Sequence, residues 1–187
     1  MDNKKIRIMI LCSIAVAINI VLGIVTSTLK LPLYLDTIGT VLIAVYYGPL
    51  AGATVGALTN ILTGIIFNPK DIPFLLVNVA VGIIVGLIAK RFKFNLVTAL
   101  ITGLILSIVC PLIGTPIGVW IYGGLTGTGT DFLVLWLQKV GQSLYFSSFI
   151  GKVFNNLLDK VGTCLLVSML ISYIPTGVVY KQDKISK

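Results

Sequence analysis

The chain has no histidine and no glutamate, and charged residues make up only 11% of its 187 positions. Acid–base chemistry would therefore fall to six aspartates, the lysines or the tyrosines, and no two carboxylates stand one helical turn apart. A G-x-x-x-x-G-K-[ST] phosphate loop is absent, which excludes nucleotide hydrolysis by that route. Cysteine is scarce: Cys12, Cys110 and Cys164 each lie inside an apolar stretch, without metal-ligand spacing, and read as small buried hydrophobes. These absences predict that the chain is not an enzyme and needs neither cofactor nor metal. A soluble domain carries roughly 25% charged residues. So few here cannot clothe a water-facing surface, and the expected surroundings are membrane lipid.

What is present agrees. Hydrophobic residues make up 57% of the chain, and the mean hydropathy is +1.05. The net charge of +8 sits in short clusters between apolar runs, without an Arg-rich face or aromatic-interleaved basic strip. That is the pattern of membrane-orienting loops rather than of a nucleic-acid interface. About 20 apolar residues cross a hydrocarbon core of about 30 Å. On that measure the spans are expected at 6–28, 37–47, 50–67, 72–89, 96–120 and 156–173, in a single transmembrane domain covering 1–187. The fold class is thus all-α: an integral membrane bundle of about six helices. The second span is short and stops at Gly48-Pro49; Pro111 and Pro116 fall inside the fifth; Pro175 ends the last. The apolar run up to about Leu29 is too long for a signal-peptide core and has no A-x-A-like cleavage site, so it reads as a retained first helix.

Lysine and arginine orient the spans. With both ends inside, the cytoplasmic segments hold Lys4, Lys5, Arg7, Lys90, Arg91, Lys93, Lys181, Lys184 and Lys187, nine of the fourteen basic residues, beside Asp2 and Asp183 only. Lys30, Lys70, Lys139, Lys152 and Lys160 fall on the other side with the remaining four aspartates. Positive charge inside is what orientation requires. Residues 131–151 mix Leu133, Val134, Leu135, Trp136 and Leu137 with Gln138, Lys139, Gln142 and serines. As a seventh span they would carry the basic tail outside, so an outer-surface or re-entrant helix is expected. The Gly/Thr-rich connector before it, from Gly123 to Thr130, reads either as a mobile lid or as a plain loop.

Small residues recur at four-residue spacing: Gly48, Gly52 and Gly56; Gly82 and Gly86; Ser13 and Ala17. Such spacing lets helix backbones approach closely, either inside the bundle or against a partner's helices. Polar residues within spans are costly and face the bundle interior or a cavity. They include Asn19, Asn60, Asn78, Asn155, Asn156, Asp159 and Lys160. Asn60 follows Gly56 by one turn and is placed to tie two helices together. Asn78 and the Asn155–Lys160 group stand nearer the outer ends of their spans, where they meet a ligand from outside; for Asp159 and Lys160 the other reading is a solvated helix start. Tyr34, Trp120, Tyr122, Trp136, Tyr145 and Phe146 cluster on the same side, as an interfacial belt or as stacking surfaces for a flat ring.

One stretch carries a resemblance. Tyr46-Tyr47-Gly48-Pro49-Leu50-Ala51-Gly52-Ala53-Thr54-Val55-Gly56-Ala57-Leu58 resembles the turn between the second and third helices of energy-coupling-factor (ECF) S components. Leu35-Asp36-Thr37-Ile38-Gly39-Thr40 is similar to that family's entry into the second helix, and Ser13-Ile14-Ala15-Val16-Ala17 to its first-helix A-x-x-x-A motif, with Ser in place of the first Ala. The Asp159-Lys160 pair opening the last helix and Pro175 closing it are similar too. The resemblance implies a substrate-capturing subunit in a prokaryotic plasma membrane, binding a small water-soluble micronutrient for ATP-driven uptake. It implies docking through the Ser13/Ala17 face on a coupling transmembrane subunit that carries two ATPases. Ligand contacts are then expected from the loop after the first helix and the outer parts of helices four to six: Tyr34, Asp36, Asn78, Trp120, Tyr122, Asn155, Asn156, Asp159 and Lys160. The segment from Tyr122 to Gly151 is longer than the compact loops this family leads one to expect. Other readings are a self-sufficient secondary transporter or channel, for which no repeat is found, a non-transporting assembly protein, and a membrane enzyme.

Overall fold

The computed structural model describes residues 3–125, 127 and 129–173. Pro175, the basic tail beyond it, and Thr126 and Thr128 of the connector lie outside the described residues. The helices are α1 (Asn3–Thr28), α2 (Ile38–Tyr47), α3 (Pro49–Ile66), α4 (Leu75–Arg91), α5 (Leu96–Tyr122), α6 (Asp131–Lys139) and α7 (Leu144–Tyr173), with a 3-10 segment, Pro69–Phe74, before α4. No strand occurs among the described residues. Five helices are long and apolar enough to cross a membrane: α1, α3, α4 with its 3-10 lead-in, α5 and α7.

Punctuation in the sequence sets several boundaries. Gly48 takes φ 90°, a backbone conformation open to glycine, and lets α2 reverse directly into α3. Pro49 then occupies the first turn of α3, where its missing N–H costs nothing. Asn68 accepts from the Lys70 N–H to start the 3-10 segment, and Asn95 accepts from the Thr98 N–H to start α5. Lys90 and Arg91 close α4, favourable against its C-terminal dipole.

α2 has 10 residues, a length of about 15 Å, half of what a hydrocarbon core requires. It survives by being wrapped: Ile38, Val41 and Ala44 pack with Val81 and Val85 of α4, Ala99, Leu106 and Cys110 of α5, and Cys164 and Val167 of α7. On its other side Ile43 packs with Ala15, Val16 and Val55. Gly39 lies so close to the Ala15 carbonyl of α1 that a side chain there has no space.

The interior is polar as well as apolar. Asn19, Thr40, Thr59, Asn60 and Asn78 are buried, while Ile10, Ile14, Leu62, Leu100 and Ile108 are exposed. In lipid this inversion is the stable arrangement, because polar groups need partners that hydrocarbon cannot supply. Asn19 shows how they are met. Its amide donates to Thr40 Oγ1 (3.0 Å) and Thr59 Oγ1 (3.1 Å), and its carbonyl accepts from the Gly39 N–H (2.7 Å), an orphan donor at the start of α2. Asn60 ties α3 to both neighbours, as expected: it accepts from the Asn78 amide and donates to the Asp71 carbonyl (3.3 Å). Asn19→Ala removes three bonds joining α1, α2 and α3 and should destabilise the fold by about 1–3 kcal/mol. Thermal unfolding in detergent checks this; an unchanged midpoint would mean that α2 holds its place by packing alone.

Two sequence expectations are corrected here. Residues 131–151 do not form one helix: α6 ends at Lys139, Gly141 turns the chain with φ 91°, and α7 begins at Leu144. The last helix therefore starts 12 residues before the expected position 156. The polar residues that hid this start face inward. Ser147 donates to the Ser143 carbonyl (2.9 Å) and Ser148 to the Gly124 carbonyl (3.0 Å), and both are buried. α6 is too short to span, at about 13 Å, and lies on α7 with Val134 buried against Gly151.

Candidate functional site

A cavity of about 520 Å³ opens among α1, the segment 29–37, α3, the 3-10 segment, α4, α5 and α7. Its rim gathers one end of the bundle: the C-terminal ends of α1, α3 and α5, with Gly127 of the connector. The opposite end holds the α2–α3 turn, which Gly86 of α4 touches at Pro49, and the α4–α5 turn, where Ser168 donates to the Phe94 carbonyl (3.4 Å).

The floor is a charged cluster. Lys160 is buried to 2% exposure, pairs with Asp159, and faces Asp36 at 3.6 Å. Its ammonium also donates to Thr37 Oγ1 (3.0 Å). Asp159 Oδ1 accepts from two backbone N–H groups, those of Tyr34 (3.1 Å) and Leu35 (2.7 Å). Leu35 sits at φ 50°, a left-handed conformation unfavourable for a leucine, and the carboxylate holds it there. Thr26 fixes the same segment by donating to the Tyr34 carbonyl (2.7 Å), and the Asn155 amide donates to the Tyr34 hydroxyl (3.2 Å). Asp36 accepts in turn from the Asn78 amide (3.2 Å). Three charges and their donors thus join the segment 29–37 to α4 and α7, with no charge left alone.

The opposite wall is a second polar group. The Tyr122 hydroxyl donates to Asp71 Oδ1 (2.6 Å) and accepts from the Asn68 amide (2.8 Å), drawing the end of α5 onto the 3-10 segment. Phe74 lies beside Tyr122 with ring centroids 6.2 Å apart, giving an apolar surface below the rim.

Of the expected ligand contacts, Tyr34, Asp36, Asn78, Tyr122, Asn156 and Lys160 line this cavity together. Asn155 and Asp159 stand behind it and hold its wall through Tyr34 and Leu35. Trp120 does not join them: it is 86% exposed on the outer face of α5. The Asp159-Lys160 pair does not open the last helix but lies midway along α7, buried, which removes the reading of a solvated helix start. Ser13 and Ala17 are exposed on α1.

Thr59, Asn68, Asp71 and Lys152 also line the cavity, and sequence reasoning did not single them out. For Lys152 a signal existed. Lys152, Asn156 and Lys160 stand at i, i+4 and i+8 and share one face of α7. That spacing carries meaning only once the helix is known to extend upstream of residue 156.

A family model described as "ECF transporter, substrate-specific component" matches residues 7–172. Neither a curated protein nor a solved structure matches the chain. The match covers most of the chain, including the helices that bound the cavity, and a transporter family agrees with the five membrane-length helices. This multi-pass membrane protein belongs to the substrate-specific components of ECF transporters, a family of transporter subunits rather than enzymes, which take up a small-molecule substrate in association with an ECF energising module.

Proposed function

We propose that this S component captures a small water-soluble micronutrient, a vitamin or a nucleobase-like precursor, at the outer face of a prokaryotic plasma membrane. The observation that carries the reading is the cavity: its volume of about 520 Å³ lies within the 300–1,000 Å³ typical of small-molecule sites. Its lining combines aromatic surface with convergent polar groups already held in place. In this reading α2 counts as a sixth helix of the transmembrane bundle, both termini face the cytoplasm, and Lys90, Arg91 and Lys93 lie on the inner side. The cavity then opens outward, and Tyr34, Asp36, Asn78, Tyr122, Asn156 and Lys160 contact the captured molecule.

Energy comes from partners: a coupling transmembrane subunit bearing two ATPases. The α1 surface supports docking there, because Ser13 and Ala17 are exposed one turn apart, beside exposed Ile10 and Ile14. Ser13 donates to the Met9 carbonyl (3.0 Å), so its hydroxyl brings no unsatisfied group to a partner. A self-sufficient carrier or channel draws no comparable support, since the family is one of subunits.

Mass spectrometry of small molecules released from the detergent-purified chain should find one vitamin-like or base-like compound at about one per chain, as a preorganised site retains its ligand. An empty chain that binds no member of a micronutrient panel would sink the capture reading. Ala17→Leu should lower copurification of the ATPases by about tenfold, the equivalent of about 1.4 kcal/mol, with the released compound unchanged. Full ATPase recovery would remove α1 as the docking face.

A further inference from the structure

Two lysines of α7 line the cavity, and their surroundings differ. Lys160 has Asp159 and Asp36 as counter-ions. Lys152 is 6% exposed, and among the described residues its ammonium forms neither an ion pair nor a hydrogen bond. The Asp131 carboxylate of α6 makes no ion pair with it and accepts from the Gly127 N–H (2.7 Å). The absence of a side chain at Gly118 leaves room for the ammonium: a Cβ there would lie 2.8 Å from Nζ and 3.0 Å from Cε. Every acid on the cavity wall already has a partner. Asp36 faces Lys160 and accepts from Asn78, and Asp71 accepts from Tyr122.

A buried ammonium without an ion pair is unfavourable by several kcal/mol, and an ionisable group inside a membrane bundle marks a functional path. Lys152 therefore brings to the buried part of the cavity a positive charge that no acid among the described residues meets at ion-pair distance. The ring of Phe74 stands next to this place, 3.8 Å from the position of a Cβ on Gly118. We infer that Lys152 is the anchor for an anionic group on the captured molecule, and that the substrate class is a small organic anion, a carboxylate or a phosphate ester, whose apolar body lies against Phe74.

The inference rests on the capture reading and can fail separately from it. Compounds released from the wild-type chain and from Lys152→Gln and Lys152→Arg variants are identified and counted by mass spectrometry. Each stripped chain is then titrated with nicotinate against nicotinamide and with pyridoxal 5′-phosphate against pyridoxal, pairs that differ in one anionic or neutral group. A released compound bearing a carboxylate or phosphate, lost from Lys152→Gln and retained by Lys152→Arg, is the expected result. A charged hydrogen bond is worth about 1.5–3 kcal/mol, so affinity should fall by about tenfold to a hundredfold in Lys152→Gln. The matched pairs assign the anion: preference for nicotinate over its amide indicates carboxylate, and preference for the phosphorylated pyridoxal indicates phosphate. A neutral or cationic compound at one per wild-type chain overturns the inference and leaves capture standing; this result needs no variant to fold. An anionic compound kept equally by Lys152→Gln also overturns it. A wild-type chain that releases no compound and binds no member of either pair or of the micronutrient panel overturns capture and this inference together.

Discussion

Lys160→Met should lower the free energy of unfolding by about 3–5 kcal/mol, the usual result of removing one member of a buried ion pair. The variant would leave Asp159 buried with only the Tyr34 and Leu35 N–H groups as donors, and Asp36 without its cation. Asp159→Asn should be milder, because the amide oxygen still accepts from both N–H groups, although Lys160 then retains Asp36 alone at 3.6 Å. The double variant should recover part of the loss, since two neutral partners leave only one stray charge, at Asp36. Thermal unfolding of the three proteins in detergent measures this. A Lys160→Met midpoint equal to that of the wild-type chain would show that the cluster contributes nothing net. The consequence for the cavity is separate. The cluster holds the segment 29–37, with Leu35 in its unfavourable backbone conformation, against α7. Loss of that tie should also release the captured compound, which the same preparations test.

Gly82→Val should cost about 3 kcal/mol or more, the upper end of overpacking effects, because the obstacle is backbone and cannot rotate away. A Cβ at 82 would lie 2.7 Å from the Gly52 carbonyl oxygen and closer still to the Ala53 nitrogen. Gly52 in turn leaves 2.9 Å to the Ala44 Cα and 3.1 Å to the Gly82 Cα. At these points α2, α3 and α4 touch through their main chains. Gly162 provides the contrast: it is exposed on α7, with nothing within 4 Å of an added Cβ. Gly162→Ala should be neutral or stabilise by up to about 1 kcal/mol, since alanine loses less backbone entropy in a helix. Equal stability of Gly82→Val and Gly162→Ala, read from thermal midpoints and monodisperse yield, would refute close packing as the role of the small-residue spacing.

That spacing was visible in the sequence, and so were most helix limits. The expected spans 6–28, 50–67 and 96–120 lie within a few residues of α1 (Asn3–Thr28), α3 (Pro49–Ile66) and α5 (Leu96–Tyr122). Run length and punctuation are local, and in lipid each spanning segment must satisfy its backbone within itself. The start of α7 escaped because hydropathy cannot tell a serine or lysine facing water from one facing a cavity. Gly151, Lys152 and Asn155 are polar or small in sequence and buried in the fold.

The candidate site divides in the same way. That intramembrane asparagines would face the interior or a cavity follows from the cost of polar groups in hydrocarbon; that Asp159 and Lys160 are buried rather than at a solvated helix start was decided by the structure. The sequence by itself determined the all-helical membrane character, through a shortage of charge that no soluble surface tolerates. Only the tertiary structure decided which charges neutralise one another. Lys160 meets Asp36 across more than a hundred residues of chain, while Lys152, on the same helix face, meets no acid at ion-pair distance among the described residues. Pairing depends on distances of a few ångströms between side chains from separate helices. Spacing along one helix specifies a face, but not what stands opposite it.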